Sequence, residues 1–457
     1  MLRSLKINTT NFIKKIFGEK IFLFYHFALA HLAAFYYRYP SKKMLVITVT
    51  GTKGKTSTLN FLWHVLSAGG YKVGLITTAN IKIGDEEMMN WYHMTMPGRF
   101  LLQKMLSKMV NSDCDIALVE ATSEGIKNSR HIGVFYDAAI YTNIFPEHLK
   151  SHGGSFEKYK ETKGQLFKRL SLMPKKTWYN KITQKNEEVE KVLIANADTD
   201  NSEYFISFPA YKKITYGLNS GEHRAHNIKQ DASGVSFDLE NMHLEIPIIG
   251  VFNIYNALPA VLFAKHLKVS EDNILQGLKN CTVIPGRMEM INVGQDFTAI
   301  VDYAHEGVSM RLALEAAQSA KKTVENKLIA VYGGDGGGRD LLKRTTMSKA
   351  AYDLADYAIV TLSDPFDEDP QKINDDVVSK LIGFGMKLGE NVFEYIDRRD
   401  AIAKAVSLAS QGDVILFASK GAEQSIMFKD KIVPWDDRAE VRKAIKDKLL
   451  NNIDKSI

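Results

Sequence analysis

The sequence predicts an α/β chain: a central P-loop-type domain with a parallel sheet, followed by a C-terminal Rossmann-like domain. Three observations carry this. A β-branched run, MLVITVT, opens at Met44 and leads straight into the loop GTKGKT at Gly51 to Thr56. Strand-like and helical stretches then alternate, the pattern of a parallel sheet covered on both faces. After Pro285-Gly286-Arg287 the alternation starts afresh with FTAIVDYA. The expected boundaries are a short N-terminal apolar helical segment over 1–43, a central domain over 44–285 and a C-terminal domain over 286–457.

Taken in order, Ile21 to Tyr37 reads IFLFYHFALAHLAAFYY, without a formal charge. Lys14, Lys15 and Lys20 precede it; Arg38, Lys42 and Lys43 follow. A spanning helix needs about 20 apolar residues, and this run is shorter and carries His26 and His31. A helix packed on the main body is the first expectation, an interfacial membrane helix the second and a spanning anchor the third. It shows no convincing signal-cleavage site. MLVITVT suits a buried parallel strand. Thr56 to Ala68 reads as a helix ended by Gly69-Gly70, and VGLITT, CDIALVEAT and DAAIYTNI supply further strands. From Lys213 to Ile249 the pattern changes, and SGVSFDLENMHLEIPI alternates as a hairpin does. Gly250 to His266 returns to helix. In the last third KLIAVYGG, YAIVTLSD and DVILFASKG are the strands, with helical sequence between them.

The 457 residues are 45% hydrophobic and 25% charged, an ordinary globular balance. The net charge of +6, from 59 basic and 53 acidic residues, suits an anionic small substrate and equally a bland soluble surface. No dense basic block is present, so nucleic acid is not an expected partner. Cys114 and Cys281 stand far apart and offer neither a disulfide framework nor a metal cluster. A reducing, cytoplasmic setting follows, at the inner face of a membrane if residues 21–37 touch one.

The chemistry gathers around the first loop. Gly51 and Gly54 let the backbone curl so that N–H groups face phosphate oxygens, with Thr52 between them. Lys55 supplies a compact cation, and Thr56 and Ser57 supply hydroxyls that can face a magnesium ion. The bland alternative is a tight strand-to-helix turn with an exposed lysine. Glu120 ends a strand, where ligands of open α/β sheets collect, although a lone acid there more often serves a helix N-terminus. Asn143 follows another strand end, with His148 five residues later. Lys163, in KYKETKGQLF, reads on spacing alone as a solvated helix lysine.

These pieces together resemble the Mur ligase family, which includes folylpolyglutamate synthetases. TGTKGKT at Thr50 to Thr56 is similar to the family loop, so Val49 at the usual P-loop glycine position is a family trait. VEATS, TNIFPEHLKSHG, YKETKGQLF, GVFNIYNALPA, IPGRME, VDYAHEG, GRDLLKR and WDDRAEVRKAI resemble its ordered motifs between Met44 and Ile445, most of all those of the UDP-N-acetylmuramoyl-tripeptide synthetase branch. The resemblance implies an ATP-dependent ligase that makes an acyl phosphate and then an amide. It implies that Lys55 holds ATP phosphates and that Thr56, Glu120, His148 and a carbamylated Lys163 hold magnesium, two ions in all. It implies that Asn143, Asn253, Arg287 and Asp302 line the nucleotide. His305, Arg339 and Lys343 would come from the C-terminal domain, and Thr95, Ser123, Asp364 and Glu423 would join Arg339 and Lys343 at the substrates. Those substrates would be a nucleotide-linked muramoyl peptide and an amino acid, handled by a monomer.

The chain departs from the family on the substrate side. The stretch ahead of Met44 is shorter than the domain with which the resembling branch grips uridine, which implies reduced, different or absent recognition of that nucleotide. A substrate-gripping arginine is replaced by Phe366 in Ser363-Asp364-Pro365-Phe366, and a histidine by Ala422 in Lys420-Gly421-Ala422-Glu423. Glu147 stands where aspartate is usual, and Glu124 replaces a histidine. Asp364, Asp367, Glu368 and Asp369 form an acidic cluster or a solvated loop. Two other readings stay open: folylpolyglutamate-like ligation, and a membrane-associated scaffold that binds ATP without ligating.

Overall fold

The computed structural model describes residue 21 and residues 23–454, apart from positions 93, 148, 339 and 340. The chain divides into two compact units. The first comprises Met1–Met88, Met94–Arg224 and Tyr255–Gly277; the second comprises Met89–His93, Ala225–Ile254 and Leu278–Ile457.

The first unit is a sheet flanked by helices. Its strands run in the order Lys212–Gly217, Val192–Asn196, Ala138–Tyr141, Leu45–Thr50, Ile116–Glu120, Val73–Ile76 and Asn80–Ile83. Every neighbouring pair is parallel except the last. Leu45–Thr50 lies in the middle and is buried throughout, which is what its β-branched run requires. Strand order departs in opposite directions on its two sides, so its C-terminal end opens at a switch point. The register sets Val49 beside Glu120 and Thr50 beside Tyr141, bringing three strand ends to one place.

Helix Lys55–Ala68 follows the loop and stops at Gly69. Helix Phe156–Leu172 is capped by Ser155, whose Oγ accepts the Lys158 N–H at 3.3 Å. It buries Tyr159, Thr162, Lys163, Leu166, Phe167 and Leu170, a stripe at helical spacing. Residues 23–36 form a helix whose Ala30, Ala33 and Ala34 are fully buried on the first unit. Packing on the body, the first expectation, is therefore what the chain does. Among the described residues no helix is long and apolar enough to cross a membrane.

In the second unit Gly234–Leu239 and Met242–Ile246 form the expected antiparallel hairpin. A six-stranded sheet follows, in the order Glu289–Ile291, Thr298–Val301, Val414–Phe417, Leu328–Gly334, Tyr357–Leu362 and Val392–Glu394, parallel except at its first pair. Helix Phe252–His266 starts two residues later than the sequence suggests, because Gly250, at φ 105°, makes the turn before it.

Candidate functional site

The loop after the central strand is held in shape from both ends. A Cβ at Gly51 would lie 2.0 Å from Oγ1 of Thr142. At Gly54, whose φ is 82°, it would lie 2.3 Å from Oδ1 of Asn256. Only glycine fits either position. The Lys53 N–H donates to Oδ1 of Asn143 at 2.8 Å, and the Thr52 N–H donates to the Asn143 carbonyl at 2.9 Å. Oγ1 of Thr142 donates to the Lys53 carbonyl at 2.6 Å. Oγ1 of Thr52 accepts the Phe145 N–H at 3.0 Å and lies 3.1 Å from the Tyr159 hydroxyl. The chain leaving the neighbouring strand thus laces the loop, and Lys55 begins a helix whose N-terminal end favours anions. Ser57 is buried in its first turn.

Glu120 is the carboxylate of the site and is 2% exposed. Its Oε2 accepts from Oγ1 of Thr56 and from the Thr78 N–H, both at 2.8 Å. Nζ of Lys55 lies 4.0 Å from its Oε1. Oγ1 of Thr78 reaches both carboxylate oxygens at 3.1 Å and Oγ1 of Thr95 at 2.9 Å. Thr95 therefore connects to the site through Thr78, a residue the sequence reading passed over. Ser123 is buried at the start of the short helix Ser123–Lys127, just after the same strand.

Lys163 corrects the expectation from spacing. It is 1% exposed, not solvated, because its helix face packs on the sheet. Nζ donates to the Gly51 carbonyl at 2.8 Å and sits 4.7 Å over the Tyr159 ring, one turn earlier. Nζ of Lys55 donates to the same carbonyl at 3.2 Å and to that of Thr52 at 2.9 Å. Burial, and then the neighbouring charge of Lys55, hold the Lys163 ammonium well below the usual lysine range, against the pull of Glu147 and Glu120. This direction makes the neutral amine, the form that reacts with carbon dioxide, more accessible than in an ordinary lysine. Among the described residues no three His, Cys, Asp or Glu side chains are grouped to hold a metal ion. Thr56 and Glu120 nonetheless supply hard oxygen donors suited to magnesium, and a carbamate on Lys163 would add to them. His148 and Arg339 lie outside the described residues.

Sequence reasoning also missed Asn256, which sets the close approach at Gly54, and Tyr159. The signal for Tyr159 was its spacing of four from Lys163 on one helix. Asn253, three residues before Asn256, lies in the second unit, where its Nδ2 donates to the Ile249 carbonyl at 2.9 Å.

The second unit gathers a cluster of its own. Nζ of Lys420, fully buried, donates to Oδ1 of Asp364 at 2.9 Å and to Oε2 of Glu423 at 2.5 Å. Burial works against its charge, but Glu423 and Asp364 outweigh it and hold the ammonium above the usual range. The Tyr303 hydroxyl donates to Oε1 of Glu423 at 3.2 Å. The Arg287 guanidinium lies 4.4 Å over the Tyr303 ring, and Nδ1 of His305 is 2.8 Å from the Tyr303 carbonyl. Asp302 accepts the Met288 and Ala304 N–H groups at 2.7 and 2.8 Å. Arg287, Asp302, His305, Asp364 and Glu423 are thus brought into one neighbourhood, and Lys343 lies in the first turn of helix Leu341–Leu354. The acidic run 364–369 is not one ligand cluster. Glu368 pairs with Arg344 at 2.9 Å, while Asp367 and Asp369 are exposed loop residues, Asp369 also capping helix Pro370–Phe384.

A family model of the Mur ligase middle domain matches residues 49–264, and one of the Mur ligase glutamate ligase domain matches residues 286–421. The UDP-N-acetylmuramoyl-L-alanyl-D-glutamate–2,6-diaminopimelate ligase of Geobacillus thermodenitrificans (strain NG80-2) is 35% identical over 430 residues, covering 92% of this chain and 83% of the relative. The chain belongs to the Mur ligase family. Mur ligases are ATP-dependent enzymes that form amide bonds, with ATP and magnesium as their general requirements. A solved structure of a ligase of that same description is 27% identical, with a TM-score of 0.59 over 89% of this Mur ligase and 79% of that chain. The folylpolyglutamate synthase of Mycobacterium tuberculosis, solved with ADP, shares the fold at a TM-score of 0.65 and 16% identity, covering 85% and 91% of the two chains.

Proposed function

We propose that this Mur ligase adds an amino acid to a UDP-N-acetylmuramoyl-dipeptide in peptidoglycan precursor synthesis. Residues 44–285 act as its ATP-binding domain and residues 286–457 as its C-terminal domain. The observation that carries the reading is the pairing of Glu120 with Thr56 and Lys55 beside a buried Lys163, all gathered around one phosphate-binding loop. The acceptor carboxylate attacks the γ-phosphate of ATP, and an amine then displaces phosphate from the acyl phosphate. Lys55 and the helix N-terminus neutralise phosphate charge as it redistributes. Thr56, Glu120, His148 and a carbamylated Lys163 would hold magnesium, which would supply positive charge to neutralise and align the phosphates. Thr78 and Thr95 keep the Glu120 carboxylate turned toward Thr56.

The amine is read as a diamino acid. Asp364 and Glu423 carry two negative charges against the single positive charge of Lys420, which leaves a net attraction for a distal ammonium. Phe366, held by its N–H to the Met427 carbonyl at 2.9 Å, offers no cation to a distal carboxylate. The protein works as a monomer in the cytoplasm, with peripheral contact to the inner membrane face through residues 21–37. The test is ADP release measured with and without each partner. Release that needs both the muramoyl dipeptide and an amino acid supports the reading; no amine-dependent release with any acceptor sinks it.

A further inference from the structure

The helix over residues 23–36 has two unlike faces. His26, Ala30, Ala33 and Ala34 recur at helical spacing and face the first unit. The alanines are fully buried, and Nδ1 of His26 lies 2.6 Å from Nη2 of Arg99. Phe24, Ala28, Leu32, Phe35 and Tyr36 recur at the same spacing on the opposite side. Phe24 is 70% exposed, Phe35 71% and Tyr36 70%. Small residues thus dock the helix while its large apolar residues face outward, the reverse of what burial in a core demands.

Beside this stripe lies an open pocket of about 350 Å³ lined by His131, Phe135, Gln165, Lys168, Arg169 and Leu172, among others. Phe135 stacks edge-on with Tyr39, and Nζ of Lys42 lies 4.7 Å over its ring, so the pocket borders the segment that follows the helix. Nε of Arg169 and Nδ1 of the buried His131 have no hydrogen-bond partner. No aspartate or glutamate occurs in residues 21–43, 125–136 or 163–176, the three segments that build this face. Lys175 and Lys176 are taken up by Glu188 and Asp137, and Lys127, Arg130 and Lys163 donate to the Ser151, Met96 and Gly51 carbonyls; Arg38, Lys42, Lys43, Lys168 and Arg169 complete its cations.

We propose that this face docks on an anionic lipid bilayer, the aromatic stripe entering the headgroup boundary and the Lys168–Arg169 pocket receiving a lipid phosphate. The proposal rests on the peripheral-contact reading above and adds the orientation and the headgroup site. Apolar and aromatic side chains on one face with cations at the rim fit an interfacial helix, and surface cations are attracted by anionic lipid.

The experiment is flotation of the full chain with vesicles of phosphatidylglycerol and phosphatidylcholine in equal parts, and with phosphatidylcholine alone. Binding to the anionic vesicles that weakens with salt is expected. The variant Phe24→Ser/Phe35→Ser/Tyr36→Ser should lose binding to both vesicles. The variant Lys168→Gln/Arg169→Gln should bind anionic vesicles roughly 25-fold more weakly, about fivefold for each cation removed. Both variants should keep the wild-type thermal midpoint and ADP release with soluble substrates, so failure here is separable from failure of the ligase reading. Equal binding to both vesicles, or an unaffected Lys168→Gln/Arg169→Gln variant, overturns the headgroup site. No vesicle binding, or concentration-dependent dimers that the serine variant abolishes, overturns the lipid partner.

Discussion

Replacing Lys163 by methionine separates function from stability. Nζ of Lys163 is buried and gives one hydrogen bond, to the Gly51 carbonyl. That carbonyl also accepts from Nζ of Lys55 at 3.2 Å, so removing Lys163 does not leave it unsatisfied. An unpaired buried acceptor would cost about 1–3 kcal/mol; here that cost is avoided. Methionine fills a similar volume and removes a buried amine beside Lys55. The variant should keep its stability to within about 1 kcal/mol, or roughly 2–4 °C in thermal midpoint for a unit of this size. ADP release should nevertheless fall at least ~100-fold, the lower end for losing one charge-stabilising group. Scanning calorimetry and a coupled ADP assay measure the two. Carbon-13 bicarbonate should give a carbamate resonance with the wild type and none with Lys163→Met. The pH dependence has a definite sign. Folded Lys163 has a lowered pKa, so just below the ordinary lysine value the unfolded chain binds the extra proton. Stability from this group therefore rises with pH, by up to about 1.4 kcal/mol per unit, until about pH 10. In carbon-dioxide-free buffer the wild type should gain on Lys163→Met over that window. Full activity in the variant, or parallel pH curves, would refute the reasoning.

Other perturbations have equally specific outcomes. Glu120→Gln keeps an acceptor for Thr78 but loses the charge beside Lys55. It should melt near the wild type and release ADP at least ~100-fold more slowly. Gly54→Ala must place a Cβ 2.3 Å from Oδ1 of Asn256 at φ 82°; about 1–3 kcal/mol of backbone strain should appear as weaker ADP binding by calorimetry. Adding Asn256→Gly should recover only the steric part. Asp437→Ala removes the buried partner of Arg398, whose Nε and Nη2 reach its carboxylate at 2.7 and 2.6 Å. Destabilisation of about 3–5 kcal/mol is expected in urea melts.

The sequence revealed what local chemistry encodes. The central strand, the loop glycines and Glu120 are legible because each sits on a short, ordered pattern whose geometry has few solutions. Lys163 was not legible as a buried group, since helical spacing reports a face and not what packs on it. Its burial depends on the sheet below, as does the meeting with Gly51. Asn256 was hidden for the same reason: its contact with Gly54 spans two hundred residues of chain. The acidic run 364–369 looked like one cluster because neighbours in sequence were counted together, whereas Lys420, Arg344 and a helix cap draw its members apart. In WDDRAEVRKAI the first role visible in the structure is architectural. Asp437 accepts from Arg398 and from Nε1 of Trp435 at 2.7 Å, a contact no spacing rule announces.

The most direct test is mass spectrometry of the products formed from ATP, the UDP-muramoyl dipeptide and a mixture of all amino acids with diaminopimelate and ornithine. One adduct is expected, heavier by an amino-acid residue bearing a second amino group, formed together with ADP and absent with Glu120→Gln. ADP formed without any adduct, or an adduct that survives the loss of Glu120, would contradict the proposed function.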